Sequence, residues 1–145
     1  MKGKVLSVNI SKDKGEKKNN IGRCRLIEKK GLEGDAHAGF MHRHVSLLAL
    51  ESIEKMRKKG INIEYGDFAE NLTVEGMDLL SLPVGTKLRV GDSVIIRVTQ
   101  IGKQCHKGCA IFQQVGDCVM PKEGIFAEVI TGGDVKIGDT IEVIE

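Results

Sequence analysis

Lys87-Leu88-Arg89-Val90-Gly91-Asp92-Ser93-Val94-Ile95-Ile96-Arg97-Val98-Thr99-Gln100-Ile101 decides the fold class. Val, Ile and Thr dominate the second half, and β-branched side chains pack well on a pleated surface. Gly91-Asp92 interrupts the run with turn chemistry. The stretch therefore reads as a strand over 87–90, a tight turn, and a strand over 93–101.

Working outward, the same pattern recurs. A strand is expected over 5–10, with Leu6, Val8 and Ile10 on one face, and another over 23–28, with Cys24 and Leu26 alternating. Residues 31–39 form a glycine-punctuated loop. A buried strand over 44–48 leads into a helix over 49–59, where Ala49, Ile53 and Met56 share a face. Arg57, Lys58 and Lys59 load its last turn favourably for the helix dipole, and Gly60 suits a left-handed stop. Further strands are expected over 72–74, 125–130 and 140–144, with an apolar turn over 79–82 before Pro83. Val84-Gly-Thr-Lys-Leu-Arg-Val90 is echoed by Ile137-Gly-Asp-Thr-Ile-Glu-Val143, as if the same turn enters a sheet twice. Many short strands, glycine turns and one clear helix predict a mainly β protein, an antiparallel β-barrel with one or two short α-helices. No Pro, Gly or Ser linker divides the chain, so residues 1–145 are read as one domain.

Composition agrees. At 145 residues and 41% hydrophobic the chain is long enough for one core. With aromatics at 3%, that core must be built from Val, Ile and Leu. Eighteen glycines, against a usual ~7%, fit a turn-rich chain. Twenty-two basic against 20 acidic residues leave a net charge of +2, too balanced to indicate nucleic-acid binding. The lysine run at 12–18 reads as a solvated, flexible loop. No segment resembles a signal peptide, and no apolar run reaches the ~18 residues of a membrane span. A cytoplasmic protein is expected. In that compartment four cysteines suggest thiol or metal chemistry before structural disulfides.

Reactive chemistry concentrates in Gly102-Lys103-Gln104-Cys105-His106-Lys107-Gly108-Cys109. Thiolate is the reactive form of cysteine, and Lys103, Lys107 and a protonatable His106 would favour it at Cys105. The segment is read as a working thiol, for sulfur transfer or soft-metal ligation. A structural zinc site and inert thiols are the alternatives, although zinc usually takes four ligands from paired short spacings and the second pair is missing. Cys24 reads as ordinary packing; Cys118 has no assigned role. A second cluster, Gly34-Asp35-Ala36-His37-Ala38-Gly39-Phe40-Met41-His42-Arg43-His44, offers backbone N–H groups and Arg43 to an anion, with Asp35 able to orient His37 or Arg43. A tight loop capped by Asp35 is the plainer reading. In the third, Gly66-Asp67-Phe68-Ala69-Glu70-Asn71, the polar side chains either cap a turn or line a pocket.

Taken in order, these three segments and the closing Gly124-Ile-Phe-Ala-Glu-Val-Ile through Gly138-Asp139-Thr-Ile-Glu-Val resemble a MOSC domain, the family named for the C-terminal part of molybdenum cofactor sulfurase. The similarity is to its small standalone bacterial members. It implies a β-barrel with a cysteine at the mouth of a cleft, carrying sulfur as a persulfide or ligating the molybdenum of a molybdenum–pterin cofactor. By position, Cys105 is the first choice for that residue, as reactive thiol and metal ligand, and Cys109 the second. Asp35, His37, Arg43, Asn71 and His106 would bind the cofactor. Implied partners are molybdopterin or its precursors, a sulfur donor such as a cysteine desulfurase, and molybdoenzymes or cofactor-synthesis proteins. Pyridoxal phosphate belongs to a separate domain of the sulfurases and is not expected on this chain. Two other readings are a molybdenum-dependent reductase of N-hydroxylated compounds and a non-catalytic docking module in cofactor biosynthesis.

Overall fold

The computed structural model describes residues 2–12, 17–35, 44–60, 62–68, 70–101 and 124–144. Its strands are β1 (Lys2–Ile10), β2 (Asn19–Asn20), β3 (Arg23–Ile27), β4 (Gly31–Leu32), β5 (Val45–Ala49), β6 (Leu72–Glu75), β7 (Lys87–Val90), β8 (Val94–Ile101), β9 (Ile125–Thr131), β10 (Gly133–Lys136) and β11 (Thr140–Ile144). The helix α1 (Leu50–Arg57) follows β5, and Leu79–Ser81 make one 3-10 turn.

Seven strands close into a barrel in the order β1–β6–β5–β9–β8–β7–β11, with β11 returning to pair with β1. Closure removes the exposed sheet edges that invite association. The expected 87–101 hairpin forms two of its strands, with Val90 opposite Val94. The barrel is mixed, a correction to the antiparallel expectation: β5 and β6 run parallel, Leu47 opposite Leu72. A parallel pair needs a crossover connection, and α1 lies on that crossover. β10, β3 and β4 form a second, three-stranded sheet. It supplies Leu26, Leu32 and Val135 to the main core. β2, β4 and β10 are absent from the sequence reading: β2 and β4 have two residues each, too few to show a period, and β10 opens on Gly133-Asp134, which has turn chemistry.

Two cores result. One fills the barrel with side chains such as Val5, Val8, Leu47, Leu72, Leu88 and Ile96, all fully buried. The other joins Ile53 and Met56 of α1 to Leu48, Ile63, Phe68 and Phe126. Leu47 and Leu48, like Ile125 and Phe126, divide between the two cores as adjacent strand residues must. The helix ends at Arg57, two residues short of the expected 59, and the turn that follows closes at Gly60, with φ +89°. The Arg57 guanidinium donates to the Ile63 carbonyl at 2.8 and 3.1 Å and lies over the Tyr65 ring. The repeated turn motif also has a structural meaning. Its two strands, β7 and β11, are neighbours, with Val90 opposite Ile141.

β1 departs from simple alternation. A bulge between Val5 and Ser7 on its β6 side puts one additional residue into the strand. Val5 and Val8 therefore both enter the barrel core, Leu6 is only half-buried, and Ile10 packs against the core's margin. The expected Leu6, Val8, Ile10 face is corrected accordingly. Ser7 and Asn9 are buried as well, and they open a polar cluster.

Candidate functional site

Ser7, Asn9 and Ser11 of the β1 end, Lys18, Asp35, Ser46 of β5, Glu70, Asn71 and Thr73 are all buried. Buried polar groups need partners, and here the partners are largely one another. Asn71 joins three strands. Its Oδ1 accepts from the Ser46 N–H at 2.9 Å and the Ser46 hydroxyl at 3.2 Å. Its Nδ2 donates to the Asn9 carbonyl at 3.1 Å. Since β6 lies between β1 and β5, the Asn71 amide ties both neighbours together where β6 begins. Its main chain continues the ladder: Asn9 N–H donates to the Asn71 carbonyl, and Asn71 N–H to the Ser46 carbonyl.

Asp35 is the second node. Its Oδ1 accepts from the Lys18 ammonium at 2.6 Å and from the Ser11 N–H at 3.1 Å. The ammonium also donates to the Ser11 hydroxyl at 3.2 Å. Both side chains of this ion pair are enclosed, at 1% and 0% exposure. Burial pushes the Asp35 carboxyl up. The hydrogen bond and charge of Lys18, with help from the Ser11 N–H and the Asn71 side chain, outweigh it and hold the carboxyl below the usual aspartate range. Lys18 is itself fastened through its main chain, its N–H donating to the Gly66 carbonyl at 2.9 Å. Gly66 has φ +95°, and a Cβ there would lie 2.2 Å from the Lys18 carbonyl oxygen. Only glycine fits that approach.

The third part is a one-way donor chain. Asn9 Nδ2 donates to Ser7 Oγ at 3.0 Å, Ser7 Oγ to Thr73 Oγ1 at 2.7 Å, and Thr73 Oγ1 to Glu70 Oε2 at 2.8 Å. Asn9 Nδ2 also donates to the Glu70 carbonyl at 3.1 Å, which fixes the orientation of that amide. Asp67 caps the preceding turn, its Oδ2 accepting from the Glu64 N–H.

Of the sequence-predicted residues, Asp35 and Asn71 come together in this cluster. His37, Arg43, Cys105, His106, Cys109 and Cys118 lie outside the described residues. Their flanks are described. Asp35 and His44 bracket 36–43, and Ile101 and Gly124 bracket 102–123. Ile101 pairs with Ile125, so β8 and β9 lie side by side where they meet the cysteine segment. β9 in turn pairs with β5, which follows 36–43, with Val45 opposite Ala127. His44 is buried, its Nδ1 accepting from the Val129 N–H at 3.3 Å.

Lys18 corrects the reading of a solvated lysine loop. Lys12 and Lys17 are exposed, whereas Lys18 is 3% exposed and paired. Nothing local marks it, since its partner is 17 residues away. Ser7 and Asn9 did carry a signal, as polar residues interrupting an apolar strand. Cys24 is half-buried on β3, its thiol donating to the Glu33 carbonyl at 3.4 Å. Burial pushes that thiol's pKa up, consistent with ordinary packing. Among the described residues no three His, Cys, Asp or Glu side chains gather as a metal site. None of their helices is long and apolar enough to cross a membrane.

The sequence model of the MOSC domain matches residues 34–142. The chain is also similar to solved structures. YuaD from Bacillus subtilis superposes with a TM-score of 0.82 at 22% identity, over 99% of this chain and 96% of that one. YiiM from Geobacillus stearothermophilus gives 0.75 at 21% identity, over 99% and 75%. YiiM from Escherichia coli gives 0.71 at 23% identity, over 100% and 70%. Identities this low show a shared fold. No curated protein matches the chain.

Proposed function

The chain belongs to the MOSC domain family, and from that premise we propose that it handles the molybdenum–pterin cofactor, as a sulfur carrier or cofactor-binding protein, through a reactive cysteine. One observation carries the proposal beyond family membership. Asp35 and Asn71, taken from two of the three ordered motifs, meet in one buried polar cluster beside the start of β5.

In this reading Cys105 is the working thiol, with Cys109 second. As a thiolate it attacks the outer sulfur of a donor persulfide. A new S–S bond forms on the cysteine, the donor's S–S bond breaks, and the donor leaves as a thiolate. Alternatively the same sulfur serves as a soft ligand to molybdenum. When bound, the cofactor would supply the redox-active metal. Arg43 and main-chain N–H groups around Gly34 to Gly39 would hold its phosphate, with His37 and His106 beside it, and Asn71, buried and bonded to Ser46 and Asn9, would brace the wall from behind. The Lys18–Asp35 pair fits such a guest. A bare Asp35 carboxylate beside 36–43 would repel a phosphate, whereas the ammonium at 2.6 Å cancels its charge. Pyridoxal phosphate is not part of this reading. A cysteine desulfurase or similar donor, and a molybdoenzyme or cofactor-synthesis protein as recipient, are the partners this chemistry requires, in a thiol-preserving compartment such as the cytoplasm.

The test is mass spectrometry of protein purified without reductant from cells that make molybdopterin, with metal and pterin analysis of the same sample. One additional sulfur localised to Cys105, or molybdenum with pterin lost in C105S, supports the proposal. Protein carrying neither sulfur nor pterin, unchanged in C105S and C109S, overturns it.

A further inference from the structure

We infer that Glu70 is stored as a neutral carboxylic acid in the folded protein, with its proton on Oε1, and that its ionisation loosens the 62–71 loop from β1. The inference does not depend on the proposed function. Glu70 is 0% exposed, and two atoms of its cluster, Glu70 Oε1 and Asn9 Oδ1, are buried without a hydrogen-bond partner. Both are acceptors. The cluster therefore lacks a side-chain donor for them, and its existing side-chain donors are committed. The Asn9 amide is oriented by the Glu70 carbonyl, which makes Ser7 accept from it and sends the Ser7 and Thr73 protons onward to Glu70 Oε2. Oε2 is thus already served, and an acid proton belongs on Oε1, where it converts one orphaned acceptor into a donor.

Among the described residues no cation takes the place of that proton. β1 presents the uncharged Ser7 and Asn9, and β6 presents Thr73. Within the loop Asp67 is turned to the Glu64 N–H. The Lys18 segment meets the loop through its main chain, while its ammonium is engaged by Asp35 and Ser11. Burial is the dominant influence on Glu70 and pushes its carboxyl above the usual range. The Thr73 hydroxyl and the main-chain N–H groups of Gly66, Glu70 and Phe68 oppose this without cancelling it.

The sign follows from linkage. A proton held more tightly in the folded state stabilises fully below the ordinary glutamate range. That stability is lost as pH rises toward the raised native value. The loop holds the Lys18 N–H and, through Asn71, the Asn9 N–H. Protection of these two amides against hydrogen exchange, corrected for intrinsic rates, is expected to fall by up to about tenfold per pH unit in that window. It should be flat in E70Q, whose side-chain amide supplies a donor without a titrating proton. Infrared spectra of the wild-type protein should show a protonated carboxyl above the ordinary glutamate range, assigned by its loss in E70Q. Carboxyl-carbon NMR, assigned through bonded neighbours in the wild-type protein, needs no variant and stands even if E70Q folds poorly. A Glu70 that titrates within or below the ordinary glutamate range, or wild-type and E70Q protection following the same pH course, overturns the inference.

Discussion

At the scale of the residue, the informative side chain is Lys18. Its position in a lysine-rich run gives no hint of burial, yet it neutralises Asp35 at 2.6 Å in an enclosed site. Taking two charges out of water costs several kcal/mol per ion, which their attraction and hydrogen bonds offset only while both are present. K18M leaves a buried carboxylate alone and should destabilise the protein by about 3–5 kcal/mol in urea denaturation. K18M/D35L removes both charges and should recover most of that loss. An equal loss in single and double variants would mean that the site depends on the polar groups themselves. The surface pairs Arg89–Glu142 and Arg97–Glu128 are partly solvated and screened, so each contributes little. Asn71 was legible from its motif as a candidate. Its bonds to Asn9 and Ser46 were not, because those partners lie 62 and 25 positions away.

At the scale of the element, the 62–71 loop and the end of β1 act as one unit, joined by main-chain bonds at Lys18 and Asn9. Gly66 is the contact that permits it. G66A brings a Cβ to 2.2 Å from a main-chain oxygen at φ +95°. G60A meets nothing within 4 Å at φ +89°. G60A should therefore cost only the left-handed penalty of about 1–2 kcal/mol. G66A should add roughly 1–3 kcal/mol for the clash. Urea midpoints of the two variants compare them directly, and faster exchange at Lys18 should accompany G66A alone. The hairpin at 87–101 and the helix were readable because their periods are local. The β1 bulge was not, because an inserted residue is defined by the strand opposite it.

At the scale of the molecule, Asp35 and Glu70 set opposite limbs of the stability curve. Asp35 is held below the ordinary range, so its contribution is present above the unfolded aspartate value and lost as pH falls through the native one. Glu70, shifted upward, gives its contribution at low pH and loses it as pH rises. Stability is expected to peak between the two windows, near the ordinary carboxylate range. Urea titrations across pH should show the acid limb flattened in K18M/D35L and the alkaline limb flattened in E70Q. An acid limb identical in K18M/D35L and wild type would assign it to other carboxylates.

The amino-acid sequence by itself determined the strand and helix pattern, the repeated turn, and an ordered set of motifs specific enough to indicate the family. These are properties of short windows, where side-chain period and turn chemistry act on their own neighbours. Only the tertiary structure decided that the barrel closes through β11 and β1, that β5 and β6 run parallel, and that one lysine among several is buried. It also left two acceptors without a donor beside Glu70. The cost of a buried charge or an unpaired oxygen depends on whatever surrounds it in space, and residues distant in the chain supply those surroundings.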